Sequence, residues 1–419
     1  MGTAPGRPQG DKPQSTERAS QPRSSRRRTQ RASQPRSTRR RTTQRRNAKP
    51  RDARLPSSTP QAPAAEPVTG CLLIQVAARE PFEVLGLADR AGSGLVFTGA
   101  GAIEAMEAMR RHGWRRPMLA DRRRYAGTTR VPGTASFVPS WLAGQRDAGI
   151  SPVLTDSGYI GEGDVAALRS VLSQAAAAGA DVTAVLPLHE RWLHEDRATL
   201  IADIAAYGVP VALVLEHRDD PLGTPEGVAG LIELLRAAPS VAVLGTGIAG
   251  LATLAFGAQW TAVGVRGSLR LFPPTPSDDG TEHRKRRWRP APREVVAAPV
   301  LSFGSLDTVV RAYAASEDGT VWACRCSRCR GRTPEWLAAA PALDADAHTF
   351  DVLLSYAERL RNREPGPARE QEWCAGCRQA LRHYRELGLA GLGWEQPGVA
   401  TAWASAEAAG CQPPLRSAG

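Results

Sequence analysis

The sequence predicts an α/β protein: a (β/α)8 barrel with a C-terminal zinc-binding helical subdomain and a disordered, basic N-terminal tail. From Val68 onwards, short β-branched runs alternate with Ala/Leu/Arg helical patterns, which is typical of βα units and a parallel sheet. Eight such units fit within residues 68–320, a number and a length that suit a (β/α)8 barrel. A doubly wound open sheet is the alternative.

The predicted strands are short apolar segments bounded by turn residues. They are 94–99, 116–121, 151–156, 181–187, 210–217, 240–245, 260–266 and 298–303. Several of the helical segments between them end at a glycine, which readily adopts the backbone conformation that stops a helix. Helical patterns continue through 321–404, the predicted zinc-binding subdomain, and residues 405–419 are expected to be loose.

The tail, residues 1–67, is predicted to be disordered because it contains Arg, Ser, Thr, Gln and Pro and little that could form a core. Residues 1–60 carry a net charge of +14. Since the whole chain carries +12, residues 61–419 carry −2. A repeat of 13 residues, 18–30 and 31–43, places a triple arginine in each copy. Such blocks suit phosphate binding to nucleic acid, and a solubilising extension without a ligand is the alternative.

A cysteine-rich segment, Trp322–Arg332, is the strongest chemical signal in the chain. Cys324, Cys326 and Cys329 lie within six positions, and 18 residues separate the last of them from His348. Three thiolates and an imidazole can complete a tetrahedral Zn²⁺ shell, and four protein ligands without an open position indicate a structural ion. Two other interpretations stay open: three unrelated thiols in a basic loop, and a four-thiolate site made of Cys326, Cys329, Cys374 and Cys377.

The distribution of the cysteines favours a cytoplasmic protein. Five of the seven lie at 324, 326, 329, 374 and 377, unlike a disulfide framework spread through a secreted chain. There is no apolar run of about 18 residues and no signal-peptide pattern, so a membrane partner is not expected.

Active sites of (β/α)8 barrels lie at the carboxyl ends of the strands, so the residues that end each strand are the candidates for chemistry. Asp156 ends an apolar strand and is followed by the small, turn-forming Ser157 and Gly158. Glu216, at the end of 210–217, is the candidate for a second carboxylate.

Basic residues near the expected barrel mouth indicate an anionic partner. Arg266 and Arg270 follow the strand 260–266, where they could bind a phosphate group. The later insertion contains HRKRRWR, residues 283–289, in which arginines could attract a nucleic-acid backbone and Trp288 could stack on a base. A solvated loop without a ligand is the alternative for this insertion.

The stretch PVLTDSGYI, residues 152–160, resembles the signature of the tRNA-guanine transglycosylase family, and the Cys-x-Cys-x-x-Cys then His order is similar to that family's zinc site. The resemblance implies exchange of guanine for a 7-deazaguanine base in tRNA or DNA. It assigns general acid/base work and base contact to Asp156, with Ser157 and Gly158 at the base, and favours zinc on Cys324, Cys326, Cys329 and His348. It also implies a homodimer.

The chain departs from the family at two places. Tyr159 and Ile160 stand where the family has a second glycine and a glutamine, and no acid ends the predicted strands six to eight, so the nucleophilic aspartate is not found. A non-catalytic nucleic-acid-binding paralogue is therefore the alternative to base exchange. A second alternative is an unrelated barrel enzyme that binds a small anionic substrate through Arg266 and Arg270.

Overall fold

The structure is a computed structural model, which describes residues 66–275 and 293–406. Three predictions fall outside these residues: most of the basic tail, the insertion 283–289 with Trp288, and the end of the chain beyond Ala406. Within the described part, no helix is long and apolar enough to cross a membrane.

The described chain forms ten strands, and the first eight of them build one parallel sheet. They are β1 (Leu72–Ala77), β2 (Ser93–Thr98), β3 (Met118–Asp121), β4 (Val153–Leu154), β5 (Val182–His189), β6 (Val211–Glu216), β7 (Val241–Thr246), β8 (Thr261–Gly264), β9 (Glu294–Ala297) and β10 (Ser302–Ser305). The sheet order is β3-β2-β1-β8-β7-β6-β5-β4, which is a nearly closed barrel whose seam lies between β3 and β4. The predicted eight-stranded parallel barrel is confirmed, and the open-sheet alternative is wrong.

Two of the strand assignments made from sequence are corrected. The first barrel strand is β1, whose apolar residues are almost entirely buried between β2 and β8. The segment 298–303, predicted as the eighth strand, is not in the barrel: residues 298–300 form a tight turn around Pro299, and Leu301 is left-handed with φ of 46°. This turn joins β9 to β10 in a separate antiparallel hairpin. Asp156 consequently follows the fourth barrel strand, and Glu216 ends the sixth.

Thirteen α-helices lie in the described residues. They are α1 (Phe82–Leu85), α2 (Ala102–Arg111), α3 (Pro139–Asp147), α4 (Val165–Ala178), α5 (Arg197–Tyr207), α6 (Pro225–Ala237), α7 (Ala249–Ala255), α8 (Gly267–Arg270), α9 (Leu306–Ala314), α10 (Pro334–Ala339), α11 (Ala342–Arg361), α12 (Pro367–Glu386) and α13 (Gly398–Trp403).

Helix α7 shows how the C-terminal helices cover the barrel. All seven of its residues are buried, because it packs on β7 and β8 on one side and on α11 and α12 on the other. A helix that is apolar on all sides requires such a position between two layers. The C-terminal helices therefore share one continuous core with the barrel.

A side chain fills the seam between β3 and β4, where strand pairing is missing. The Gln145 amide accepts a hydrogen bond from Leu154 N at 3.0 Å and donates one to Leu154 O at 2.8 Å. The indole of Trp141 donates a second bond to the same carbonyl at 3.0 Å. Helix α3 thus replaces the partner that a closed ladder would supply to β4, because buried backbone groups need hydrogen-bond partners.

Candidate functional site: the barrel mouth and the cysteine–histidine cluster

The Asp-Ser-Gly sequence after β4 lies at the barrel mouth, with the Asp156 and Ser157 side chains buried. Thr155 Oγ1 lies 2.7 Å from Ser157 Oγ and accepts a hydrogen bond from Val185 N at 2.8 Å, which ties the segment to β5. Gly158 is required by close packing, since an added Cβ would lie 2.1 Å from Pro132 O. The backbone that presents Asp156 is therefore held from both sides.

Both oxygens of the Asp156 carboxylate are engaged. Oδ2 accepts hydrogen bonds from Arg122 at 3.0 Å and from Arg124 at 2.8 Å, and Oδ1 accepts one from Val138 N at 3.0 Å. The carboxylate is 0% exposed, whereas the Arg122 and Arg124 side chains are 31% and 20% exposed. The negative charge is thus buried and compensated, and the arginines lie between it and solvent.

Glu216 reaches the same mouth from β6 and is also paired. Its carboxylate, 2% exposed, accepts hydrogen bonds from the Arg130 guanidinium and the Tyr159 hydroxyl. The guanidinium lies over the Tyr159 ring, 3.7 Å from its centroid. Burial, followed by the hydrogen bond to Glu216, raises the pKa of Tyr159, which remains the donor. Since Tyr159 is three residues from Asp156, Glu216 faces the segment that carries that aspartate.

Aromatic side chains pack above these carboxylates. Phe272 is buried and makes edge-to-face contacts with Tyr125 and Tyr159, at centroid distances of 5.1 and 5.9 Å. Its carbonyl accepts a hydrogen bond from His217 N at 3.0 Å, next to Glu216. The Tyr125 hydroxyl donates to Asp121 at 2.8 Å, and desolvation raises the pKa of that aspartate. The segment after β8 therefore lies across the mouth.

Sequence reasoning did not single out the arginines that bind the two carboxylates. Arg122, Arg124 and Arg130 lie in one loop, DRRRYAGTTR, which directly follows β3. A run of three arginines immediately after a predicted barrel strand is the signal that could have found them, because that position places them at the mouth. We call Arg122, Arg124 and Arg130 the mouth arginines.

Arg266 and Arg270 have other partners. Arg266 forms ion pairs with Glu80 at 2.5 Å and with Asp346 of α11 at 3.0 Å. Arg270 is buried, donates to Gly264 O at 3.3 Å and Val265 O at 3.1 Å, and pairs with Glu294 of β9. Both guanidinium groups thus connect the barrel to the C-terminal region.

The second candidate site is the cluster of Cys324, Cys326, Cys329 and His348. Their ligand atoms all lie within 4.8 Å of one another. The three sulfur atoms are 3.4, 3.6 and 3.3 Å from His348 Nδ1, in chain order. On the opposite side of the ring, His348 Nε2 donates to Val296 O at 2.9 Å, which leaves Nδ1 facing the three sulfur atoms. Helix α11 and strand β9 therefore orient the imidazole toward the thiols.

Backbone amides stabilise negative charge on the sulfur atoms. Cys326 N donates to Cys324 Sγ at 3.4 Å and Cys329 N donates to Cys326 Sγ at 3.2 Å. The pKa of Cys326 is lowered, first by hydrogen bonds from Cys324 and Cys329, whereas hydrogen bonds with Cys324 and Cys326 raise the pKa of Cys329. Burial lowers the pKa of His348, but hydrogen bonds with Cys324 and Cys326 outweigh it and raise the value to about 10. Full ionisation of three adjacent thiols requires a cation among them.

The group can hold a metal ion, and Cys374 and Cys377 are not in it. Those two residues are buried on α12, in the core shared with the barrel. Burial raises the pKa of Cys377, with the neighbouring Cys374 as a further cause, so the thiol form is favoured there. Of the two ligand sets predicted from sequence, the structure brings together the one that contains His348.

A scan against models of known protein families finds no match to this chain, and a search of curated proteins finds no relative.

Proposed function

We propose that the chain is a nucleic-acid-binding protein of the tRNA-guanine transglycosylase type that does not catalyse base exchange. The observation that carries this proposal is the state of Asp156, whose two carboxylate oxygens are occupied by two arginines and a backbone N–H. A general base must have a lone pair within reach of the proton that it removes, and here Oδ2 accepts from two arginines while Oδ1 accepts from a backbone N–H. The second carboxylate, Glu216, is paired in the same way.

The partial exposure of the mouth arginines favours the binding of an anionic ligand. Each binds a buried carboxylate on one side, yet 20 to 31% of each side chain is exposed. Arg123, which lies between two of them in the chain, adds a fourth positive charge against the three carboxylates of Asp121, Asp156 and Glu216. Guanidinium groups bind phosphate oxygens through charge-assisted pairs of hydrogen bonds, so this excess favours a nucleic-acid backbone. The basic tail and residues 283–289 add sequence support.

We propose that the ion of the cysteine–histidine cluster is a structural Zn²⁺. Tetrahedral zinc with bonds of about 2.3 Å to sulfur and 2.0 Å to nitrogen separates those atoms by about 3.5 Å. The corresponding distances here are 3.3 to 3.6 Å. The bond from His348 Nε2 to Val296 O is the kind of outer contact that fixes a zinc-bound histidine. Zinc would join the cysteine loop to α11 and β9 and so stabilise the C-terminal region.

Binding is tested with the full chain, a tRNA transcript and a DNA duplex, by fluorescence anisotropy at several salt concentrations. Arg124→Gln and Arg130→Gln should each weaken binding about tenfold and reduce the salt slope by about one. Arg169→Gln is the control, because Arg169 also pairs with an aspartate but lies on the outer helix α4. If the mouth variants bind nucleic acid as tightly as this control, the mouth arginines have no role in nucleic-acid binding.

Base exchange is the competing function, and the position of both carboxylates at one mouth favours it. The same preparations are incubated with labelled guanine and nucleic acid. We expect no incorporation above the protein-free rate. Incorporation that disappears in Asp156→Asn would replace the binding proposal with a transferase.

A further inference from the structure

A cavity of about 410 Å³ lies between strand β9, the cysteine loop 322–332 and helix α11. None of the mouth arginines lines it, so it is separate from the proposed nucleic-acid site. Its volume is in the range of pockets that hold small organic ligands.

Its walls are mostly apolar. Val296 of β9, Val309 of α9 and Leu337 of α10 are buried residues that line it. The Tyr356 ring and Val352 contribute a face of α11, and the cysteine–histidine cluster forms part of another wall. An apolar ligand body would therefore replace water against these side chains, which is favourable.

The polar lining is predominantly basic. Arg332 lies over the Trp336 ring, 3.4 Å from its centroid, and donates to Cys329 O at 2.9 Å, so its guanidinium is held in place. Arg359 lies over the Tyr356 ring at 3.9 Å, but it also forms an ion pair with Glu372 at 3.1 Å. Arg325 is exposed and forms no ion pair with a described residue. The single acid of the lining, Asp351, is paired with Arg90 and accepts from Ser327 N.

We infer that this cavity is a binding site for a small organic anion with an apolar, aromatic or aliphatic body. The apolar walls take the body, and Arg325 and Arg332, which form no ion pair with a described residue, take the anionic group. A neutral ligand of the same shape leaves these two positive charges without a partner, and a cationic ligand is repelled by them. The chemistry thus selects for charge as well as for shape.

Isothermal titration calorimetry of the full chain with two probes of equal shape tests this selection. Naphthalene-2-carboxylate should bind at least tenfold more tightly than naphthalene-2-carboxamide. Ser355→Trp, at an exposed position of the cavity lining on α11, should abolish binding, and Arg325→Ala should weaken it at least threefold. Arg330→Ala is the matched control, because Arg330 belongs to the same loop but does not line the cavity, and its affinity should be unchanged.

Circular dichroism confirms that each variant is folded. If Ser355→Trp does not fold, Arg325→Ala still decides the test. Equal affinity for the acid and the amide, or equal affinity of Arg325→Ala and Arg330→Ala, overturns the proposal. Sedimentation velocity provides a second test. If the chain dimerises and Ser355→Trp dissociates the dimer, the occupant is a second copy of the chain and the small-anion site is refuted.

Discussion

Replacing Asp156 with asparagine separates the two functions that its position allows. Asparagine keeps the size of the side chain and one carbonyl oxygen, but removes the charge that Arg122 and Arg124 compensate. If the arginines bind phosphate, the substitution frees them and nucleic-acid affinity should rise about three- to tenfold. If Asp156 contacts the base, affinity should fall instead.

The same substitution should lower stability. Breaking a buried ion pair costs about 3–5 kcal/mol when the remaining charge stays buried. Here the remaining charges are arginines that are 31% and 20% exposed and can be hydrated, so we expect a smaller loss of about 2–3 kcal/mol in the free energy of unfolding. Asp203→Asn is the matched control. It removes a pair with the single, largely exposed Arg169, and should cost less than about 1 kcal/mol.

Urea denaturation measures the loss of stability, and anisotropy at constant salt measures the affinity. The reasoning is refuted if Asp156→Asn costs no more than Asp203→Asn, because the two arginines would then not depend on the carboxylate. A variant that is destabilised as expected, yet binds nucleic acid more weakly, would refute the assignment of the mouth arginines to phosphate.

Three further predictions follow from the same structure. Mass spectrometry of metals should find about one Zn²⁺ per chain, reduced by more than half in His348→Ala and unchanged in Cys374→Ala, which lies outside the cluster. Gln145→Ala should lower the free energy of unfolding by about 1–3 kcal/mol, because it leaves Leu154 N buried without its partner, and an unchanged urea midpoint would contradict the role of Gln145 in the seam. Gly158→Ala should reduce stability or the yield of folded protein strongly, since the added methyl group meets Pro132 O at 2.1 Å, whereas Gly86→Ala, with nothing within 4 Å, should remain within about 1 kcal/mol of the parent.

Seven barrel strands could be predicted from sequence because each is a short apolar run followed by a helical pattern. Strand β1 has the same composition, and what assigns it to the barrel is its pairing with β2 and β8. The paired starts of these strands, Ser93 and Thr261, lie 21 and 189 residues after Leu72. No local pattern encodes such pairing. The segment 298–303 was assigned as a strand on its apolar content, while the turn at Pro299 and the left-handed Leu301 direct it into a hairpin. Strand composition alone does not distinguish these two outcomes.

The ligand set of the cluster was predictable because three of its members are close in sequence, and spacing on a turn restricts where thiols can point. The hydrogen-bond partners of Asp156 could not be predicted from the sequence. Its partners Arg122, Arg124 and Val138 N come from segments that are brought together only when the barrel closes. A motif search identifies the acid, but the availability of its lone pairs depends on these tertiary contacts.

Those contacts also bear on the proposal that the mouth binds nucleic acid without catalysing base exchange. A buried carboxylate is tolerated only when it is paired, and the mouth arginines supply that pairing. The same arginines occupy Oδ2 of Asp156, so the arrangement that keeps the motif folded leaves this oxygen no free access to a substrate proton. A phosphate group approaching the mouth competes with Asp156 for Arg122 and Arg124. Nucleic acid binding would therefore weaken the pairing of the aspartate, and the stability of the barrel mouth and the affinity for phosphate should change in opposite directions across substitutions of Asp156.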